Sequence, residues 1–261
     1  MIDVIRNAHG ERLDFAFHAG APGAKELVVI DHGVTGHKDR PFLVALAEGW
    51  ALAGIRARRV SWSGHGTAEG RFADSTISKE VADLGALLDA VDGYAVTYAG
   101  QSMGRAVGVL RASADRRSGR LISLAGMVHP GAFAEHHFAS LTPERDLMGG
   151  KPGCVRSPAY LDDLRRIGSG VGCAGDLAVP WLFIHGMADP VVPVPDSGAA
   201  FARAGGPKQL VELAAATTSG HRASPRGWSR RSSGGARKAR TRVGPRSAAL
   251  DPAPVGRVGG D

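Results

Sequence analysis

Residues Gly100-Gln101-Ser102-Met103-Gly104 lie between a strand-like segment and a helix-like one. The run 96–98 before them is β-branched and aromatic, and the residues after Gly104 favour a helix. A sharp turn from strand to helix strains its central residue, so the residues two before and two after it must have almost no side chain. Gly100 and Gly104 satisfy this. The pattern predicts a nucleophile elbow, with the Ser102 hydroxyl projecting from the carboxyl edge of a sheet beside the positive end of a helix. The alternative is a glycine-rich turn that contains a serine by chance.

Strand-like and helix-like segments alternate along most of the chain. Two short strands are predicted within residues 1–20, around a turn at 7–10. Further strands are predicted at 26–30, 55–60, 96–98, 121–124, 180–184 and 209–213. Pro41 is suited to begin a helix, and apolar residues recur at helical spacing between residues 81 and 91. This alternation predicts an α/β fold with a mainly parallel sheet and helices on both faces.

Length and charge divide the chain into two unequal parts. The 261 residues suffice for one large α/β domain, which we place at residues 1–221, with a lid or cap insertion at 129–170 where the alternation breaks. Residues 222–261 carry nine Arg, one Lys and two Asp, so this tail contributes +8 to a total net charge of +7. The body is therefore almost neutral. The tail is rich in Gly, Pro, Ser and Arg without apolar periodicity, which predicts disorder.

The composition also limits the cellular setting and the cofactors. No apolar run approaches the ~18 residues that a membrane span needs, and residues 1–6 lack the features of a signal peptide. Cys154 and Cys173 form no disulfide framework, so a cytoplasmic location is expected. His136 and His137 lie in the cap segment without a third ligand at suitable spacing. We therefore expect no metal and no cofactor.

Four motifs in order resemble those of the α/β-hydrolase superfamily. They are His32-Gly33, Ser63-Gly64-His65-Gly66, the elbow at 100–104, and His185-Gly186 followed by Asp189. The resemblance covers roughly residues 10–213 and is nearest to the branch of serine esterases and S33 aminopeptidases that includes cinnamoyl esterases and monoacylglycerol lipases. It implies an α/β-hydrolase fold with a small lid, and hydrolysis of carboxylic esters of small acyl groups.

The same resemblance assigns roles to individual residues. Ser102 would be the nucleophile and Asp189 the carboxylate that orients the base, although Asp189 before a proline is also compatible with a surface turn. The backbone amides of Val34 and Met103 would form the oxyanion hole. His32 and His65 are interpreted as structural residues rather than bases.

The sequence departs from the family at Arg105 and at the base. Arg105 replaces a small residue after the elbow, and it either crowds the turn or points outward. The family's histidine would align with Thr218, so His221 is the candidate base. A suitable choice of codons for residues 216–219, read in another frame, encodes Asp-His-Phe, and we therefore hypothesise a frameshift that leaves the C-terminal part incomplete. Loss of a closing helix would uncover one face of the sheet.

Three functions remain open at this stage. The first is a serine esterase, with a small-molecule ester as its partner and a second copy of the chain left open. The second is a catalytically impaired scaffold that binds small acyl ligands. The third, nucleic-acid binding through the tail, is disfavoured because only Trp228 could stack on a base.

Overall fold

Eight strands form one sheet in the computed structural model, which describes residues 4–214 and the segment 240–243. The strands are β1 (Asp14–His18), β2 (Glu26–Asp31), β3 (Arg56–Ser61), β4 (Ala95–Gln101), β5 (Ser118–Leu124), β6 (Trp181–Gly186), β7 (Lys208–Leu213) and β8 (Arg240–Val243). Their order in the sheet is β1-β3-β2-β4-β5-β6-β7-β8. All neighbours are parallel except at the two edges, where β1 and β8 are antiparallel. The prediction of a mainly parallel sheet is therefore confirmed.

Seven α-helices connect these strands within the described residues. They are α1 (Pro41–Leu52), α2 (Ile77–Ala90), α3 (Met103–Ala114), α4 (Pro130–His137), α5 (Pro158–Ile167), α6 (Val171–Gly175) and α7 (Val194–Arg203). Helix α1 begins at Pro41, as predicted, because proline has no N–H to leave unpaired at a helix start. Thr76 caps α2 by accepting a hydrogen bond from the Lys79 amide at 3.1 Å. None of the described helices is both long and apolar enough to span a membrane.

The N-terminal prediction is only partly correct. Residues Arg6 and Arg12 form a single antiparallel bridge around the predicted turn, and the one strand in this region is β1. Residues 1–3 lie outside the described part of the chain.

The two faces of the sheet are covered unequally. The larger core contains side chains from α2 to α7, including Leu84, Val107 and Leu164. In the smaller core, on the opposite face, α1 is the only described helix that contributes. Beside α1 this face carries an apolar groove of about 510 Å³, lined in part by Trp50 and Leu182. Helices thus lie on both faces, as predicted, but much of the second face has no described helix over it.

The last strand of the sheet lies within the tail for which the sequence predicts disorder. Residues 240–243 form β8, whose Arg240 pairs with Glu212 and whose Val243 pairs with Gln209. The physical reason is that β7 would otherwise be an edge strand with unpaired backbone groups, and Thr241 and Val243 are β-branched. The remainder of 222–261 lies outside the described residues.

The pairing of β8 also fixes where the preceding connection begins and ends. Strand β7 ends at Leu213 on the carboxyl edge of the sheet, and antiparallel β8 starts beside it, opposite Glu212. The connection 214–239, twenty-six residues long, therefore leaves and rejoins the sheet at the same edge.

Candidate active site

Ser102 occupies the turn between β4 and α3 with φ 52° and ψ −113°, a left-handed conformation that a side chain rarely adopts. The flanking glycines allow the turn. A Cβ on Gly100 would lie 2.6 Å from the Arg105 amide nitrogen, and a Cβ on Gly104 would lie 2.6 Å from Asp31 Oδ2. The carbonyl of Ser102 accepts hydrogen bonds from the amides of Met127, at 2.9 Å, and Arg105, at 3.1 Å. These contacts hold the serine in the conformation that the sequence predicts for an elbow.

The loop after β2 packs directly against this serine. A Cβ on Gly33 would lie 3.0 Å from Ser102 Cβ, so a larger residue here would crowd the serine. The Gly33 amide donates to Gln101 Oε1 at 3.1 Å, which fastens the loop to the end of β4. Val34 follows Gly33, and its amide makes no backbone hydrogen bond to another described residue. Met103 is the first residue of α3, so its N–H has no acceptor within the helix. The two predicted oxyanion donors therefore belong to segments that meet at Ser102.

A buried acid lies beneath the same loop. Asp31, fully buried, accepts from Trp62 Nε1 at 2.7 Å and contacts the Tyr98 hydroxyl, which also lies 3.1 Å from the Gly104 carbonyl oxygen. Burial raises the pKa of Asp31 well above its ordinary value, the nearby Glu80 acts in the same direction, and the hydrogen bonds oppose both. A phenol has a single proton to donate. Both contacts of Tyr98 are satisfied together when Asp31 is protonated and donates to the phenol oxygen, while Tyr98 donates to Gly104.

Two buried imidazoles support the loop from behind. His32 and His65 lie with ring centroids 4.6 Å apart, and burial lowers the pKa of His65 to about 4 and that of His32 well below its ordinary value. His65 Nδ1 lies 3.2 Å from the Gly36 carbonyl oxygen, and its Nε2 lies 3.1 Å from Glu80 Oε1. Burial raises the pKa of Glu80 well above its ordinary value. Both histidines are thus neutral and enclosed, which agrees with their predicted structural role.

Asp189 lies in the loop after β6, and its side chain is fully buried. Its Oδ1 accepts hydrogen bonds from the amides of Val191, at 2.9 Å, and Val192, at 3.0 Å. His185 lies 4.0 Å from Oδ2 through Nε2, and its own nitrogens contact Ser197 Oγ at 2.7 Å and the Val192 carbonyl oxygen at 3.1 Å. Two backbone amides therefore fix the carboxylate.

A cavity of about 490 Å³ opens between this loop and the cap segment. It is lined by Met127, His129, Ala132, Phe133, His136, His137, Asp189, Pro190, Val191, Val192, Pro193 and Asp196. Met127 connects the cavity to the elbow, because its amide binds the Ser102 carbonyl oxygen. In the cap, α4 and α5 are joined by an ion pair of 2.6 Å between Glu135 and Arg165. Tyr160 of α5 donates to the Met103 sulfur at 3.0 Å, so the cap also contacts the elbow.

Arg105 is buried, which the sequence left undecided. Its side chain is 2% exposed and lies against Gly126 and under the Trp181 ring, whose centroid is 5.2 Å from the guanidinium carbon. Nη1 lies 3.4 Å from the Met127 carbonyl oxygen, while Nε and Nη2 have no acceptor among the described residues. Burial lowers its pKa to about 10. Of the two alternatives, Arg105 does not point outward, because glycine at position 126 leaves room for its side chain inside.

The predicted base, His221, lies outside the described residues, as do Thr218 and the segment 216–219 of the proposed frameshift. The other predicted residues share one edge of the sheet. Ser102 follows β4 and Asp189 follows β6, with only β5 between these two parallel strands. No group of three potential metal ligands occurs in the part of the chain that the structure describes.

No protein-family profile matches the chain, and no curated protein sequence matches it. Solved structures do. Est1E from Butyrivibrio proteoclasticus with bound ferulic acid superposes with a TM-score of 0.73 at 23% identity, over 84% of this chain and 91% of that chain. Mouse alpha/beta hydrolase domain-containing protein 10 gives 0.64 at 19% identity, over 83% and 89%. An esterase from Exiguobacterium antarcticum gives 0.60 at 15% identity, over 80% and 90%. The chain has an α/β-hydrolase fold. Within this fold, the identities below 25% leave the branch as a prediction.

Several residues of the site were not foreseen from sequence. Asp31 and Tyr98 resemble ordinary strand positions, and only the ionisable residue in an otherwise apolar run, 27–31, signals the buried acid. The sequence pattern predicts no role for Gln101, yet its side chain accepts from the Gly33 amide and fastens the loop after β2. In the sequence His185 is part of a motif only. In the structure its ring contacts Ser197 Oγ and the Val192 carbonyl oxygen and lies 4.0 Å from Asp189, so it supports the Asp189 loop.

Proposed function

We propose that this protein is a serine hydrolase of carboxylic esters, with Ser102 as the nucleophile. The observation that carries the proposal is the left-handed backbone of Ser102 at a strand-to-helix turn, with the Gly33 loop packed against its Cβ. Structural cores do not require such strain, whereas it is common at catalytic nucleophiles. The esterases among the similar structures support the same reaction class.

The proposed reaction follows from the chemistry of the residues at this edge. The Ser102 oxygen attacks the ester carbonyl while an imidazole removes the hydroxyl proton. The amides of Val34 and Met103 donate to the resulting oxyanion, each worth about 3–4 kcal/mol of transition-state stabilisation. The imidazolium returns the proton to the leaving alcohol, and an acyl-enzyme remains. Water, deprotonated by the same imidazole, then attacks the acyl carbon, the bond to the Ser102 oxygen breaks, and the imidazolium returns the proton to that oxygen as the carboxylic acid leaves. Asp189, ionised, stabilises the imidazolium.

His221 is the proposed base, and the strand ends around it support this. The connection 214–239 starts and finishes at the edge that carries Ser102 and Asp189. His221 follows Leu213 by eight positions, which an extended chain spans over roughly 26 Å. That reach covers the distance from the end of β7 across β6 and β5 to Ser102, since neighbouring strands lie about 4.8 Å apart.

The cavity beside Asp189 is the proposed acyl pocket. Its walls combine the Phe133 and His137 rings, 4.2 Å apart, with the apolar side chains of Val191 and Val192. The structure of Est1E holds ferulic acid, a carboxylic acid, and this supports an ester of a small acyl group as the substrate of the present chain. A small-molecule ester remains the proposed partner, and no cofactor enters the mechanism.

The nucleophile is tested with p-nitrophenyl acetate and a fluorophosphonate probe. Ser102→Ala is expected to lower kcat/KM by at least about a thousandfold and to abolish labelling, because no other group replaces the attacking oxygen. Ser113→Ala is the matched control. Ser113 lies on the same helix, is exposed, and donates only to the Val109 carbonyl oxygen at 2.9 Å. Equal labelling of the Ser102→Ala protein would overturn the proposal.

The base is tested by comparing histidines. His221→Ala is expected to lower kcat by several orders of magnitude, since an unassisted serine is a weak nucleophile. His136→Ala and His137→Ala change imidazoles that line the cavity and are expected to alter mainly KM. Should His137→Ala abolish turnover and His221→Ala leave it intact, the base would lie in the cap instead.

A catalytically impaired scaffold is the second candidate, and the open sheet face beside α1 is the observation that favours it. The groove there is the kind of surface that an altered C-terminal sequence would leave. Under this alternative, purified protein shows no labelling of Ser102. The nucleotide sequence of codons 208–222 tests the frameshift directly, because only certain codons restore Asp-His-Phe.

A further inference from the structure

Arg58 is a buried arginine whose charge has no ion-pair partner in the described part of the chain. It is 5% exposed, and its Nε and Nη1 have no hydrogen-bond acceptor among the described residues. Its guanidinium carbon lies 4.4 Å from the centroid of the Phe15 ring and 5.9 Å from that of Phe17. The next residue, Arg59, points to the other face of the sheet and has three partners. It donates to His18 Nε2, the Lys38 carbonyl oxygen and Asp39 Oδ1.

Arg58 lines a cavity of about 560 Å³ that is separate from the candidate active site. The cavity lies towards the amino end of β3 and the last turn of α2, whereas Ser102 and Asp189 lie at the carboxyl edge. Phe17, Leu27 and Val91 form apolar walls. The exposed residues Ala21 and Tyr94 also line it and form an opening to solvent.

An unpaired buried charge is costly to the folded protein. Desolvation lowers the pKa of Arg58, and the only compensating influence is the Tyr94 phenol. The faces of Phe15 and Phe17 attract the cation but leave its N–H groups without acceptors. Buried charges are generally paired, so an unpaired one that lines an open cavity points to an anionic ligand.

The surroundings determine which anion fits. Arg56, the second cation at this cavity, already donates to the Ala24 carbonyl oxygen and to the Tyr94 hydroxyl oxygen, the latter at 3.1 Å. One uncommitted guanidinium matches a single negative charge better than a phosphate dianion. The apolar walls match a hydrocarbon body better than water.

We propose that this cavity is a second ligand site, which binds an amphiphilic carboxylate with its head on Arg58 and its apolar body along Phe17, Leu27 and Val91. The inference does not depend on the proposed ester hydrolysis. A carboxylate accepts charge-assisted hydrogen bonds from guanidinium N–H groups, and the same contact removes the cost of the unpaired charge.

The test uses sodium octanoate as the probe and the full chain at pH 7.5. Octanoate is expected to raise the thermal unfolding midpoint in a saturable way and to give a measurable Kd by calorimetry. 1-Octanol carries the body without the charge, and inorganic phosphate carries charge without the body. Both are expected to bind at least about tenfold more weakly, since one charged hydrogen bond contributes about that factor or more.

Variants locate the site. Arg58→Met keeps the length and apolar packing of the side chain and is expected to weaken octanoate binding at least about tenfold. Ala90→Leu narrows the cavity from the end of α2, leaves Arg58 in place and is expected to weaken binding as well. Arg116→Met, at an exposed position outside the cavity, is the matched control and should bind as the unaltered chain does.

The outcomes are distinct. Octanoate affinity that is unchanged in both Arg58→Met and Ala90→Leu overturns the proposal, and so does equal binding of octanol and octanoate. If Arg58→Met fails to fold, Ala90→Leu and the three probes decide the question. If Ser102→Ala loses esterase activity and still binds octanoate, the result supports a ligand site that is independent of the proposed active site.

Discussion

Asp31 illustrates how a single buried residue can depend on pH. It is enclosed by Trp62, Tyr98 and the elbow backbone at Gly104, and burial raises its pKa well above the ordinary value. A group whose folded-state pKa is raised stabilises the protein fully below the unfolded-state pKa, and this contribution is lost as the pH rises towards the folded-state pKa. Asp31 therefore contributes less to the free energy of unfolding at neutral pH than at acidic pH.

The substitution Asp31→Asn tests this, because the amide NH₂ can donate to Tyr98 as the protonated acid does, while the amide oxygen accepts from Trp62. Relative to the unaltered chain, its free energy of unfolding is expected to rise with pH above about 4, by about 1.4 kcal/mol per pH unit up to the folded-state pKa. Urea unfolding at several pH values measures the difference. Asp176→Asn, at an exposed position, is the control, and a difference that is flat with pH would show Asp31 to be ionised.

Individual residues of the site were predictable to different degrees. The turn at Ser102 follows from a local motif, because its two flanking glycines lie within two positions of it, whereas the roles of Val34 and Met103 follow from the family resemblance and stay predictions. The burial of Arg105 was not predictable, since it depends on Gly126, a residue far along the chain that leaves the necessary space. The burial of Arg58 was not predictable for the same reason. A basic residue in a strand is expected to be exposed, and its burial depends on Phe15 and Phe17 of β1, which pack beside it.

Among the elements, β8 changes the edge of the sheet most. It supplies backbone partners to β7, which otherwise presents unpaired N–H and C=O groups. Composition alone could not predict this strand, because the tail is rich in Gly and Arg. Its four residues form a strand only by pairing with the edge of β7. The central strands were predictable because apolar runs buried on both faces have a clear signature.

Shortening the chain tests the role of β8. A chain ending at Ala239 lacks the strand, whereas a chain ending at Val243 keeps it and serves as the control. The shorter chain is expected to self-associate as its concentration rises, through pairing at β7, and light scattering coupled to size-exclusion chromatography measures this. Monomers at all concentrations in both chains would contradict the prediction.

At the scale of the whole molecule, the two faces of the sheet differ in how deeply their side chains are buried, and therefore in how much these side chains contribute to the free energy of unfolding. Leu210 of β7 is 2% exposed in the larger core, whereas Leu182 of β6 is only partly buried beside the groove. The alternation of strands and helices predicts helices on both faces of the sheet. The hypothesised frameshift, which would remove a closing helix, predicts that part of one face is uncovered. The sequence could not show which strands would be left open, because that depends on the sheet order.

A matched pair of leucines tests this asymmetry. Leu210→Ala is expected to lower the free energy of unfolding by about 2–5 kcal/mol, as in a closed core, and Leu182→Ala by about 1 kcal/mol or less. Chemical denaturation of both variants gives the comparison. Equal losses would mean that the face beside α1 is as well packed as the other.

The strands that flank residues 214–239 make this segment an exchangeable module. Because its two ends are held side by side by β7 and β8, a replacement of different length must only close the same short gap. The entropic cost of closure grows with the logarithm of length, so doubling the segment costs only about 0.6 kcal/mol. Libraries of grafted sequences that each keep a histidine for the role proposed for His221 could therefore be screened at this position, while Ser102 and Asp189 stay where the sheet holds them.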